Sequence, residues 1–418
     1  MKKQLLLTFI FSALALQSLG QNHTVRLMTY NILNYRNSTS YCNGTTNSAS
    51  AKEEAIDTIV RNINPQIIVF NEVGSNANNG TYLLNNALNT GSQANWAMAN
   101  YTHNGFSTLV NAIAYRSDLF GITHQWTISK DLNNGSLTRL IDVVRFYDKQ
   151  AWPGGSTSGS SDSLTFIIVA AHFKAGNTAS DENTRKKEAD AIIDFVDNID
   201  FEENIILMGD LNVYSSYEDA YQSLTAGNSF RFEDPVASPG AWHNSSTFAA
   251  LHTQSTQMTS GCFSGGGLDD RFDQILISEA ISEGDAMMTY SNNSYFAVGN
   301  DGNHFNQAIN SGTNYSVTSD VLDALYSCSD HLPVICDFDM GSFMSTPEWL
   351  KNWPLPNPMP KNYFLEIPAT SSLEIMNLLG QIVLETNKSA VIPALPSGTY
   401  LFKLQNNTQT VVKKIQIR

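Results

Sequence analysis

Residues 204–214 read Asn-Ile-Ile-Leu-Met-Gly-Asp-Leu-Asn-Val-Tyr, and the fold turns on them. Ile205 to Met208 is a short unbroken apolar run, the pattern of a strand buried on both faces. Gly209 ends the run, and Asp210 and Asn212 follow one residue apart. In extended chain, positions i and i+2 point the same way. A carboxylate and an amide would therefore project together from the end of a buried strand, placed to orient a metal, a water or a phosphate oxygen. An ordinary polar turn reads the same way, because Asp and Asn bond readily to nearby backbone. The rest of the chain has to decide.

Working outward, the same pattern recurs. Val25 to Ile32 is a strand running through Tyr30-Asn31, and Ile67 to Phe70 runs into Asn71-Glu72-Val73. Leu164 to Ala171 ends in His172-Phe173-Lys174. Phe272 to Ile277 is a strand, and Ser329-Asp330-His331 precedes another, Leu332 to Phe338. Between them, Ala51 to Asn62 has a helical stripe at 55, 56, 59, 60 and 63, stopped by Pro65. Asp181 to Asp197 is a clear amphipathic helix, and Tyr82 to Leu88 a short one. Strands at Trp96 to Ala99, Asn111 to Tyr115 and Ile141 to Phe146 crowd together, which predicts antiparallel pairs. Gly- and Ser-rich 153–163 reads as a surface loop, as does polar 225–267. Helices between apolar strands predict α/β layers, and such folds place active sites at strand ends along one sheet edge.

At 418 residues the chain exceeds the usual single core, so two domains are expected. Lys2 and Lys3 before apolar Leu5 to Leu16, then Ser18-Leu19-Gly20, read as a secretory signal peptide over residues 1–20. The run is too short for a transmembrane anchor, and no later run could span a bilayer, so the mature chain is expected to have no membrane anchor. Export permits disulfides among Cys42, Cys262, Cys328 and Cys336. Cys328 and Cys336 flank a strand that would hold them roughly 26 Å apart, against the ~7 Å limit for bridged Cα atoms. They are not expected to pair with each other; the other pairings stay open.

Net charge is −15, unevenly spread. Residues 355–418 carry six Lys/Arg against three Glu and the leader two Lys, so residues 21–354 hold five more negative charges than the whole. That surface repels polyanions and argues against a nucleic-acid binder held by a basic face. An enzyme that meets phosphate through a bound cation is compatible with it.

The tail differs in texture. A Pro-rich linker, Trp353-Pro-Leu-Pro-Asn-Pro358, is followed by short alternating segments at Phe364 to Ile367, Leu373 to Leu378, Gln381 to Glu385, Tyr400 to Leu404 and Val411 to Ile417. These predict a small β-sandwich.

Glu72, Asp210 and Asp330, with Asn31, are oxygen ligands suited to Mg²⁺, Mn²⁺ or Ca²⁺. Phosphodiester hydrolysis needs neutralised phosphate charge, an activated water and a protonated leaving oxygen. A hard cation on Glu72 supplies the first. His331 or His172 supplies the others, since histidine titrates near neutrality. Zinc spacing, a Gly-x-Ser-x-Gly elbow, a Walker loop and His-Glu-x-x-His are all missing, and Asp301-Gly302-Asn303 is too short for a calcium loop.

Residues 25–340 resemble the endonuclease/exonuclease/phosphatase superfamily, which includes pancreatic-type deoxyribonuclease, abasic-site endonucleases, bacterial sphingomyelinases and inositol-phosphate phosphatases. The matching segments, in order, are Met28-Thr-Tyr-Asn-Ile32, Val69-Phe-Asn-Glu-Val73, Ala171-His-Phe-Lys174, Gly209-Asp-Leu-Asn212, Arg271-Phe-Asp-Gln-Ile275 and Ser329-Asp-His-Leu-Pro333. The resemblance implies a four-layer α/β sandwich, two packed mixed sheets flanked by helices. It implies Glu72 as metal ligand with Asn31 beside it and Asp330 supporting the metal region. Asp210 and Asn212 would position water and phosphate. His331, oriented by Asp273, would be base or phosphate ligand, His172 a general acid, and Arg139 a phosphate contact. A histidine at 172 departs from the tyrosine of the abasic-site branch, and Leu332 from the lysine of the inositol-phosphatase branch.

Residues 355–418 resemble the C-terminal sorting domain of type IX secretion in Bacteroidetes, through Leu355-Pro-Asn-Pro358, Leu373 to Gly380, Leu395-Pro-Ser-Gly-Thr-Tyr400 and Lys413-Lys414. A carbohydrate-binding sandwich would want an aromatic platform, and the tail has few aromatics. The expected layout is a signal peptide at 1–20, an enzyme domain at 21–345, a linker at 346–360 and a sorting domain at 361–418. The expected protein is a monomeric, metal-dependent extracellular nuclease, delivered to the cell surface or medium by the type IX machinery. The alternatives are a sphingomyelinase-like or small-molecule phosphoesterase, with Tyr295 to Val298 as a membrane-binding segment, and a non-catalytic protein on the same fold.

Overall fold

Two sheets carry the larger unit, each built around one parallel pair. In the first sheet, β1 (His23–Tyr35) runs parallel to β2 (Ile67–Gly74). β4 (Leu109–Arg116) and then β3 (Trp96–Met98) add antiparallel beyond β2. β13 (Val334–Met340) adds antiparallel to β1, with β11 (Met288–Tyr290) and β12 (Phe296–Ala297) on its far side. In the second sheet, β7 (Thr165–His172) runs parallel to β8 (Ile205–Asp210). β6 (Ser136–Asp148) and β5 (Phe120–Lys130) extend it one way, and β10 (Asp273–Ser278) and β9 (Phe232–Glu233) the other, all antiparallel. The computed structural model describes residues 23–91, 95–149, 164–199, 204–227, 230–284, 286–341, 359–367, 371–377, 381–392, 395–405 and 410–417. The expected signal peptide, the loop at 153–163 and residues 346–358 of the expected linker lie outside the described residues.

Period-two alternation divides each central strand between two cores. Phe166, Ile168 and Ala170 of β7 and Ile206 and Met208 of β8 meet Leu27, Ile67, Val69 and Ile113 between the sheets. The alternate residues, Ile167, Val169, Ile205 and Leu207, face outward onto α3 (Ala179–Asp197) and α4 (Asp219–Thr225). On the other side, Met28, Tyr30, Ile68 and Phe70 pack under α1 (Ala49–Ile63) and α6 (Ser319–Cys328). This is the expected four-layer sandwich. Double-sided burial is why the strands read as unbroken apolar runs.

Local signals set the helix ends. Ser48 caps α1, Asn64 closes it in the left-handed region, and Thr178 and Asp181 form a capping box on α3. The short helix expected at 82–88 is α2 (Asn79–Leu83) continued by a π-turn over Leu84–Leu88. Several elements were not expected from the sequence: the short α4, α5 (Glu279–Glu283), β11 and β12, and the longer β5 and α6. β5 is an edge strand without clean in–out alternation, and α6 is a ten-residue stripe among Asn- and Gly-rich loops. The polar 225–267 stretch also contains β9 and a 3₁₀ turn, Ser246–Leu251.

Cys42 and Cys262 form a disulfide, while Cys328 and Cys336 are buried free thiols. Among the described residues, no helix is long and apolar enough to cross a membrane. The chain divides into two units between Met344 and Ser345. The second unit has a four-stranded antiparallel sheet, β16 (Ile382–Thr386), β15 (Ser372–Asn377), β18 (Gly398–Gln405) and β19 (Thr410–Ile417). β14 (Phe364–Leu365) pairs with β17 (Ala390–Val391) beside it. Leu373, Ile375, Phe402, Leu404, Ile415 and Ile417 fill its core.

Candidate active site

Strand register assembles most of the site. His172 lies opposite Asp210 across the β7–β8 pair, and Asp210 lies opposite Asp273 across β8–β10. In the facing sheet, Asn31 lies opposite Asn71, and just beyond that pair both neighbouring registers shift. There Glu72 takes φ +60° and leaves the ladder, an uncommon conformation for a non-glycine residue. Gly209 has no substitute. Its φ is +150°, and a Cβ would sit 1.8 Å from the Ala171 carbonyl oxygen.

Buried amides stitch the two sheets together at this edge. Asn71 accepts the Asp210 N–H at 3.0 Å and donates to the Ala171 carbonyl at 3.1 Å and to Asn111 Oδ1 at 2.9 Å. Asn31 donates from Nδ2 to Asp210 Oδ2 at 2.9 Å and to Glu72 Oε1 at 3.2 Å. Its own oxygen is turned away to the Leu33 N–H, so here Asn31 clamps the two carboxylates. The second Glu72 oxygen accepts the Asn34 N–H at 2.9 Å. Asn212, at φ +51°, donates its N–H to Asp210 Oδ1 at 3.1 Å and its amide to the Phe173 carbonyl.

The histidines approach Asp210 from two sides. His331 Nδ1 lies 2.7 Å from Asp273 Oδ2, and its Nε2 lies 3.9 Å from Asp210 Oδ2. His172 Nε2 lies 3.5 Å from the same oxygen, and its Nδ1 has no partner among the described residues. Arg139 donates to the carbonyls of His172 and Phe173 at 3.4 and 3.3 Å. Asp330 is buried beside His331 in the chain, but its carboxylate turns to the Ser264 N–H at 2.7 Å.

Burial and charge act in opposite directions on the two rings. Burial, with Arg139 and His331 nearby, holds His172 well below the ordinary histidine range. Burial also works against a charged His331, but Asp273, Asp210 and Asp330 outweigh it and hold that ring well above the ordinary range. Burial, opposed by His331 and helped by Asp273, pushes Asp210 up to about 7. Titratable groups whose environments push them apart are the usual sign of an acid–base site.

The profile of the Endonuclease/Exonuclease/phosphatase family matches residues 28–331, nearly three-quarters of the chain. The chain belongs to this family. Its tail, residues 355–418, matches the secretion system C-terminal sorting domain. Several solved structures are similar. An endonuclease/exonuclease/phosphatase from Bacteroides vulgatus has 17% identity and TM-score 0.48, over 76% of this chain and 99% of that one. The human Nocturnin catalytic domain with bound sulfate has 13% identity and TM-score 0.48, over 77% and 97%. D. rerio TDP2 complexed with single-strand DNA product has 9% identity and TM-score 0.45, over 75% and 98%. No curated protein matches the chain.

As a member of the endonuclease/exonuclease/phosphatase family, the chain is a phosphoesterase with a secretion sorting tail, and that tail indicates export by type IX secretion to the cell surface or beyond. The donor set fits a hard divalent cation, the usual cofactor of this family. Ligand atoms of Asp210, Asp273 and His331 lie within 4.8 Å of one another, and Asp273 Oδ1 and Asp330 Oδ1 are buried without a partner among the described residues. Three residues at the site were not expected. Gln254 places its amide 2.7 Å from His331 Nε2, Thr253 Oγ1 accepts the Asp273 N–H, and buried Lys52 donates to the Cys328 carbonyl. Gln254 and Thr253 sit in an irregular loop with no period to betray them. Lys52 lies on the buried face of α1 in line with Ile56, Ile59 and Ile63, where a hydrophobic-stripe reading passes over a charged residue.

Proposed function

We propose that the protein is an extracellular, divalent-metal-dependent nuclease that hydrolyses phosphodiester bonds of DNA or RNA. The observation that carries this reading is the convergence on Asp210 Oδ2 of Asn31 at 2.9 Å, His172 at 3.5 Å and His331 at 3.9 Å, all buried. A bound Mg²⁺, Mn²⁺ or Ca²⁺ would neutralise phosphate charge, and Glu72, Asp210 and Asp330, with Asn31 holding the first two, are the residues to hold it. In this reading Asp273 fixes the ring of His331, which, held charged by the surrounding carboxylates, binds phosphate, and serves as base only once it has given up its Nε2 proton. His172 is the candidate general acid, which must first gain a proton against the effect of its burial before passing it to the leaving oxygen, and Asp210 and Asn212 orient the attacking water. Arg139 contacts phosphate. The layout proposed with it is a signal peptide at 1–20, the enzyme at 21–345, a linker at 346–360 and the sorting domain at 361–418, acting as a monomer.

A lipid substrate is less well supported. Of the segment from Tyr295 to Val298 only Phe296 is exposed, so the segment offers a single ring to a membrane. The test is a substrate panel on the full-length protein, comparing plasmid DNA, RNA, sphingomyelin and nucleoside monophosphates with and without chelator. Plasmid should be nicked with Mg²⁺ or Mn²⁺, and both EDTA and His331→Ala should abolish nicking. Intact plasmid and RNA under every metal, with sphingomyelin or a monophosphate cleaved instead, would overturn the reading.

A further inference from the structure

Beside the catalytic strand ends lies a cavity of about 270 Å³, walled by Val73, Leu84, Met98 and Val110 and floored by Asn111 and Asp142. It exists because β3 stops at Met98. The chain then crosses to the second sheet, where Asn100 exchanges backbone bonds with the Gln125 side chain at 2.9 and 2.7 Å. The upper part of β4 is left without a strand on that side. Pockets for drug-sized ligands begin near ~300 Å³, so this one holds a single ring system. Its apolar walls suit the faces of a flat ring, and the Met98 thioether is a favourable neighbour for an aromatic one.

The floor asks for a particular edge. Asp142 is buried, and among the described residues its carboxylate accepts from neutral donors, Thr102 Oγ1 at 2.5 Å and Asn111 Nδ2 at 3.2 Å. Each oxygen keeps a lone pair. A buried carboxylate without a cation is costly, and burial pushes Asp142 up to about 6, so a further N–H donor at this floor would stabilise its charged form. Asn111 has little left to offer. Its Nδ2 is shared with the carbonyls of Leu140 and Ala170, and its Oδ1 accepts from Asn71. Asn71 in turn accepts the Asp210 N–H, so the cavity floor is three hydrogen bonds from the catalytic carboxylate.

We propose that this cavity is a base-recognition pocket, which takes an amino-bearing nucleobase of the substrate with its edge N–H groups on Asp142 and its faces against Val73 and Met98. The proposal rests on the nuclease reading above and gives it a preference, for adenine, cytosine or guanine over uracil or thymine, which lack the exocyclic amine.

The test uses the full-length protein with Mn²⁺. Its substrates are ApA, UpU, an abasic dinucleotide analogue and bis(4-nitrophenyl) phosphate, a phosphodiester without a base. Asp142→Asn and the cavity-blocking Thr81→Phe, at an exposed helix position lining the same cavity, are the variants. In each variant the ratio of kcat/KM on ApA to that on bis(4-nitrophenyl) phosphate should fall about tenfold or more, mostly through KM. An unchanged ratio in both variants overturns the pocket, and so does equal wild-type preference for ApA and the abasic analogue. Should the wild type cleave none of these, the nuclease reading fails on its own. Calorimetry then decides the pocket. Adenosine bound by the wild type but not by Thr81→Phe keeps it, whereas no adenosine binding, or tighter binding of phosphoethanolamine, overturns it.

Discussion

His331 has one ring nitrogen against Asp273 and the other toward Asp210, and both arms are buried. Removing the ring by His331→Ala should lower kcat by on the order of 10³-fold. Asp273→Asn should cost a comparable factor while leaving the ring in place, because the amide releases its tautomer and orientation. Steady-state kinetics on a cleavable diester check both, and wild-type turnover in either variant would remove His331 from the chemistry. At this scale the sequence was legible where a polar residue broke an apolar run. Asn31, Glu72, His172, Asp210 and Asp273 were visible for that reason. Gln254 and Asn111 were not, since their roles exist only through contacts with residues 77 and 40 positions away.

Among the elements, α3 carries a buried carboxylate with its own pH signature. Glu188 accepts the Lys174 N–H at 2.8 Å, and burial, opposed by that bond and by Arg139, pushes it up from the ordinary 4.5 to about 7. Between those values the unfolded chain has released a proton that the folded chain still holds, so Glu188 contributes stability at low pH and loses it as pH rises through about 7. Glu188→Gln should remove that slope. Unfolding free energies at about pH 5 and pH 8 should shift relative to wild type in the variant's favour at the higher pH, and parallel curves would contradict it. The central strands were readable because both faces are buried. β5 was not, because an edge strand need not alternate. The bulge at Glu72 was also hidden, since a register shift is a property of two strands and not of one.

For the whole molecule, the Cys42–Cys262 disulfide closes a loop of 220 residues and anchors the segment that brings the Ser264 N–H to Asp330. In the chain-entropy account, loops this long are worth about 5 kcal/mol, so reduction should lower Tm by roughly 10 °C. Calorimetry with and without reductant measures it, and an unchanged Tm would mean that the link adds nothing to folding. The sequence by itself determined the order of the central strands and of the two long helices α1 and α3, the α/β class, the family through six ordered segments, and the sorting tail. Those properties are written in local periodicity and in residue types at strand ends. Only the tertiary structure decided which cysteines pair, how Asn71 joins the two sheets beneath Asp210, and where the cavity over Asp142 opens. Each depends on segments far apart in the chain meeting at one edge, and distance in space leaves no mark on the local pattern.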